Sequence, residues 1–410
     1  MSERRYDVVL FGATGFTGKL VAEYLAKAAP ALRWAIAGRN REKLESVRAG
    51  LGAGAAAVPV LIADSADRPS LDRIAREARV VCSTVGPFTL HGRELVAACV
   101  DAGTDYCDST GEPQFVRAMI DLHHARARET GARIVPCCGF DSIPSDLGTL
   151  LVQHHAREAH GAPCAEVRHY VRIRGGAVSG GTAASMVQIM DEASHDPRVR
   201  EVLLDPYALD PEHGPNGGRQ PDGPRGPMFD ADIGRWVGPF LMAAINVRVV
   251  RRSNALLGYA WGRDFRYREG MIFGRGAGGW ARAASMTAGI GAAFGVLAIA
   301  PLRRLAAKTA LPKPGEGPSK EKRDASSFES RFVGVLEGKS EKILATVRGV
   351  ADPGYGETAK MVGESALCLA FDRESTRKEG GVLTPASCLG MTLVERLRRA
   401  DMTFQIDRPL

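Results

Sequence analysis

None of the eight cysteines (Cys82, Cys99, Cys107, Cys137, Cys138, Cys164, Cys368 and Cys388) forms a C-x-x-C pair, and none stands at zinc-ligand spacing from the nine histidines. No metal site is therefore expected. Aromatic residues are sparse at 6%, with no RNA-recognition aromatic motif, no zinc-finger spacing and no long basic helix. Nucleic acid is excluded as a partner on that ground, although the formal charge is +7. The first residues hold no secretory apolar core and enter a strand almost at once, so a reducing cytoplasm is expected. Glycine is the residue in excess, 47 of 410 against a usual share of about 7%. Without a collagen-like period, it belongs in turns and close backbone approaches.

Short apolar runs alternate with helical patterns through the first third of the chain. Strands are expected over 6–11, 34–37, 58–62, 80–85, 105–107 and 133–136, with helices over 15–29, around Leu44, Val47 and Leu51, and over 69–78, 92–102 and 113–130. Alternation at this pitch predicts a parallel, doubly wound α/β sheet. Beyond about residue 150 the pattern becomes α+β. A helix is expected over 145–158, a long strand over 166–173, and antiparallel strands over 246–251, 263–269, 328–336 and 342–349. The Pro- and Gly-rich stretch 205–230 reads as a long loop or lid, and the charged run 312–327 as a mobile loop.

The sharpest motif is Gly12-Ala13-Thr14-Gly15-Phe16-Thr17-Gly18, which follows a strand and opens a helix. Such a turn lets backbone N–H groups approach a pyrophosphate and lets helix and strand pack closely. The second strand ends Gly38-Arg39-Asn40-Arg41 with Lys43 close behind, where an NAD site would carry a carboxylate for the ribose hydroxyls. A guanidinium suits a 2′-phosphate, so NADP(H) is the expected cofactor. Asp64 ends the third strand and is placed at the adenine edge. Gly86, Pro87 and Phe88 end the fourth and are placed against ribose and nicotinamide. Gly175 to Thr182 is a Gly-rich joint before a helix, suited either to an anion or to simple flexibility.

No tyrosine has a lysine four residues later, which removes short-chain dehydrogenase chemistry, and no G-x-S-x-G is present. The run Cys138-Gly139-Phe140-Asp141-Ser142-Ile143-Pro144-Ser145-Asp146-Leu147-Gly148, taken with the Gly12 turn and Gly86-Pro87-Phe88, resembles the saccharopine dehydrogenase-like oxidoreductases. It is most similar to their trans-acting enoyl reductase subfamily. Pro239–Met242, Arg251–Asn254, Pro314–Pro318 and Gly380–Pro385 extend the similarity along nearly the whole chain. The resemblance implies a Rossmann domain (1–145), an α+β substrate and dimerisation domain (146–375), and a C-terminal segment (376–410) returning to the first domain. It also implies a homodimer in lipid and glycolipid metabolism that reduces a carbon–carbon double bond in a lipid or polyketide acyl intermediate held by a carrier or synthase. Pro136 stands where relatives often have a histidine and Met391 where an acidic residue is common, so a histidine just ahead of Cys137-Cys138 is not available.

Asp141, Ser142 and Tyr106 are the candidate catalytic residues, because each lies just after or at the end of a strand at the cofactor edge. Asp141 or Ser142 as a helix cap, and Tyr106 as packing, are the alternatives. From Ala283 to Leu302 no charged residue occurs. Those twenty residues fit a buried or dimer-interface helix, an acyl tunnel or peripheral membrane contact, or a membrane span. Two other functions remain open: a lipid- or membrane-associated nucleotide-binding protein without turnover, and an amino-acid oxidoreductase like saccharopine dehydrogenase itself.

Overall fold

The computed structural model describes residues 4–55, 57–175, 180–212, 223–309, 319–339 and 341–407. Two seven-stranded sheets organise them. The first contains β1 (Tyr6–Phe11), β2 (Trp34–Gly38), β3 (Val60–Ile62), β4 (Ala78–Ser83), β5 (Asp105–Asp108), β6 (Arg133–Val135) and, from far along the chain, β13 (Gly381–Val382). All neighbours are parallel in the order β13-β6-β5-β4-β1-β2-β3. In β1, Val8 and Leu10 enter one hydrophobic core while Val9 and Phe11 enter another. Burial on both faces is why this strand reads as an unbroken apolar run. The parallel α/β expectation is met.

The second sheet is mixed, in the order β14-β12-β11-β7-β10-β9-β8. Its strands are β7 (Cys164–Arg174), β8 (Met228–Asp230), β9 (Arg235–Gly238), β10 (Arg266–Gly274), β11 (Ser327–Leu336), β12 (Lys342–Gly349) and β14 (Thr403–Ile406). The helix Ile143–His160 leads out of the first sheet and packs on this one, with Gly148 seated against the Phe332 ring. The last segments serve both units. The helix Thr358–Phe371 packs on the first helix and on β4, β13 edges the first sheet, and β14 edges the second.

Several expectations fail. Residues 246–251 are not a strand but part of the helix Ala243–Leu256. The alternation Ile245-Asn246-Val247-Arg248-Val249 imitates a strand with one wet face. Here protein covers Asn246, Arg248, Arg251, Arg252 and Ser253 as completely as the valines. Alternation therefore carries no information about solvent at this place. The strand expected at 263–269 begins at Arg266 and runs parallel to β7, antiparallel only to β9. Within 205–230, residues 213–222 lie outside the described residues and Met228–Asp230 is a strand. Within 312–327, residues up to 318 lie outside the described residues, Lys320–Asp324 is a short helix, and Ser327 already belongs to β11.

A buried ion pair fastens the late segment to the first sheet. Arg133 and Asp105 pair on adjacent strands, and Arg133 also donates to the Leu369 carbonyl at 2.7 Å and to Thr376 Oγ1 at 2.9 Å. Arg133 has no exposed surface. Asp105→Ala, which strands that guanidinium, is expected to cost about 3–5 kcal/mol in urea unfolding.

Candidate active site

Two adjoining cavities lie at the carboxyl ends of the first sheet. One, of about 400 Å³, is lined by Gly12, Thr14, Gly15, Phe16, Thr17, Arg39, Asp64, Gly86, Pro87, His91 and Tyr355, among others. Gly12 has φ +95°, a conformation that disfavours any side chain. A Cβ on Gly18 would lie 2.1 Å from the Gly12 carbonyl oxygen. The helix Phe16–Ala28 thereby presses against the turn, and its N-terminus opens toward the cavity. This is the fit expected for a dinucleotide pyrophosphate.

The exposed Arg39 follows β2 directly and lines the cavity. Asn40 and Lys43 do not line it. Asn40 caps the next helix instead, its Oδ1 accepting the Lys43 N–H at 2.9 Å. Asp64 lines the wall, and its Oδ1 accepts the Ala66 N–H at 3.0 Å in a local turn. The Gly86–Pro87 peptide is cis. Gly18 acts by packing, and Phe88 is displaced to the neighbouring cavity.

That second cavity, of about 300 Å³, shares Thr17, Thr84, Gly86 and Gly181 with the first. Its far side is apolar: Met186, Ile189, Met190, Leu241, Ile245 and Phe294. Its near side carries Ser109, Gly111, Gly139 and Asp141. Among the described lining residues, Asp141 is the one ionisable group. Burial, reinforced by the nearby Glu269 charge, pushes its carboxyl up to about 6. No described residue hydrogen-bonds that carboxylate. The helix Gly180–His195 begins where the two cavities meet, bringing the positive end of its dipole there. Residues 176–179 of the Gly-rich joint lie outside the described residues.

The other two catalytic candidates lie elsewhere. Tyr106 is fully buried and lines neither cavity. Its hydroxyl donates to Asp108 Oδ2 at 2.8 Å, and burial raises its pKa well above the ordinary value. Tyr106 is thus a core residue, not a proton donor to a ligand. Ser142 precedes the helix Ile143–His160 without a side-chain cap bond. Its hydroxyl donates to Asn246 Oδ1 at 3.0 Å, and Asn246 in turn donates to Glu269 Oε1 at 2.8 Å. Ser142 therefore steadies the carboxylate that acts on Asp141.

Sequence reasoning missed Glu112. Its buried carboxylate accepts the Phe88 N–H, Thr89 N–H and Thr89 hydroxyl, each at 2.9 Å, and the Ser185 hydroxyl at 2.7 Å. Also missed were Gly354, Tyr355 and Thr358, which arrive from beyond β12 to line the cavities. The Pro353-Gly354-Tyr355-Gly356 turn signal was their one trace in the sequence.

Residues 8–135 match the saccharopine dehydrogenase NADP binding domain. A Mycobacterium tuberculosis protein named provisionally as a trans-acting enoyl reductase is 45% identical, over 99% of this chain and 98% of its own length. The trans-acting enoyl reductases of Mycobacterium bovis and Mycobacterium ulcerans are 41% and 39% identical, each over 99% of both chains. Among solved structures, saccharopine dehydrogenase (L-Glu forming) from Saccharomyces cerevisiae superposes with a TM-score of 0.53 at 15% identity, covering 98% of this chain and 99% of that one. That likeness establishes the fold.

Two outcomes follow from the geometry. Arg39→Ala is expected to weaken NADPH binding about 10- to 100-fold with little change for NADH, measured by fluorescence titration. Glu112→Gln places an amide where four donors converge, and is expected to lower stability by about 3 kcal/mol in thermal unfolding.

Proposed function

Because the chain belongs to the trans-acting enoyl reductases, a saccharopine dehydrogenase-like family of NADP(H)-dependent oxidoreductases, we propose that it reduces the 2,3-double bond of a lipid- or polyketide-like acyl thioester presented by a separate carrier or synthase. The observation that carries this reading is the lining of the second cavity: an apolar far wall, one carboxyl at the near end, and no Lys, Arg or His among the described residues. A zwitterionic amino acid would need cationic partners for its carboxylate. An acyl chain needs an apolar wall. The same contrast favours this reading over an amino-acid oxidoreductase.

NADPH, when bound, supplies the hydride for the β-carbon. The protein's own residues do the rest. The Gly12–Gly18 turn and Arg39 hold the cofactor, and Gly86 and Thr84 form the wall common to both ligands. As negative charge develops on the thioester oxygen, the N-terminus of the helix Gly180–His195 is the positive pole at the junction of the cavities. Asp141 keeps its proton to higher pH than an ordinary carboxyl and delivers it to the α-carbon. The apolar wall excludes water from the reacting centre.

NADPH oxidation followed by absorbance with a model 2-enoyl thioester is the direct test. Turnover is expected, with none on amino acids; tight NADPH binding without turnover on any enoyl thioester would overturn the reading. Asp141 is protonated below about 6 and ionised above, so its contribution as a donor declines as pH rises through that value. Asp141→Asn is expected to lower kcat by about 10²- to 10⁴-fold and to abolish that limb of the pH–rate profile.

A further inference from the structure

The helix Gly276–Ala298 is long and apolar enough to cross a membrane, yet only 11% of its most apolar window is buried. Trp280 is 50% exposed, Val296 40%, and Ile299, just beyond its end, 53%. Leu302 and Leu305 of the following helix are exposed as well. Exposed apolar surface of this kind marks a contact surface.

Charge decides what covers it. Between Glu269 and Glu316 the chain has no carboxylate, while Arg275, Arg282 and Arg304 are exposed along the same stretch. A second copy would bring like charges together. An anionic bilayer would neutralise them, each basic residue near such a surface contributing about 1 kcal/mol. Trp280 supplies the aromatic group that favours a headgroup boundary.

The mode of contact follows from how the helix is tied down. Gly279 and Ala283 are buried at one end, where the helix packs on β9 and β10, and Leu297 is buried at the other. Just beyond, the buried Arg303 donates to the Leu297 carbonyl at 2.9 Å and to Asp191 Oδ1 at 2.6 Å. A helix held by its own fold at both ends cannot cross a bilayer, but it can sink its outer face about 5–10 Å into one.

We propose that the outer face of Gly276–Ala298, continued through Ile299 and Leu302, seats the protein in the plane of an anionic membrane. Phe294 belongs to this helix, is 41% exposed, and lines the apolar cavity. The seat therefore adjoins the wall along which an acyl chain enters, a step that rests on the reductase reading above.

Full-length protein is sedimented with vesicles of phosphatidylcholine alone and of phosphatidylcholine with phosphatidylglycerol. Pelleting with the anionic vesicles is expected, reduced by salt and by Arg282→Glu with Arg304→Glu. Val296→Asp with Ile299→Asp, both at exposed positions, is expected to weaken vesicle binding at least about tenfold. NADPH oxidation on a soluble short-chain enoyl thioester stays unchanged in that variant. A protein that remains in the supernatant with both vesicle types overturns the proposal. So does a dimer, seen by sedimentation velocity without lipid, that the same aspartates dissociate. Pelleting without turnover would sink the reductase reading and leave the seat standing; turnover without pelleting would do the reverse.

Discussion

The buried Glu112 carboxylate is the contact through which the two halves of the site hold one another. Phe88 and Thr89 open the short helix Phe88–His91 that follows the Gly86–Pro87 turn, and Ser185 stands on the helix Gly180–His195 that walls the second cavity. A carboxylate out of water must be fully hydrogen-bonded, and here four donors from two different units meet that demand. The spacing between the Gly86–Pro87 turn and the apolar wall of the second cavity is thus set by a group that lines neither cavity. The junction formed by Thr17, Thr84, Gly86 and Gly181 inherits its shape from this tie.

What could be read in the sequence was local. The Gly12 turn, Arg39 and Gly86 declare their chemistry within a few residues, because strand, turn and helix are contiguous there. Asp141 was legible for the same reason, standing just past β6. Tyr106 misled because the end of a strand says nothing about which face a side chain takes. The helix Ala243–Leu256 misled because β-branched residues and buried arginines mimic a half-wet strand. Tyr355 and Thr358 reach the site from more than three hundred residues beyond the Gly12–Gly18 turn, and no local pattern records such a contact.

The Arg251-Arg252-Ser253-Asn254 run is structural in this fold. Arg252, its guanidinium lowered to about 9 by burial, donates to the carbonyls of Leu209 and Val382 at 2.6 Å each. Ser253 donates to Asp146, whose other oxygen accepts the Ala386 N–H at 2.8 Å. Burial pushes Asp146 up to about 7. These contacts draw the chain from 382 to 386 onto the helices that follow β6.

Pairing of β13 with β6 also has a consequence for the order in which the protein is made. The edge of β6 is complete at Val135, but its partner Gly381–Val382 leaves the ribosome about 250 residues later. At roughly 5–20 residues per second, the first sheet waits some tens of seconds with an open parallel edge and without the helix Thr358–Phe371. During synthesis that edge is exposed to strand capture by other nascent chains.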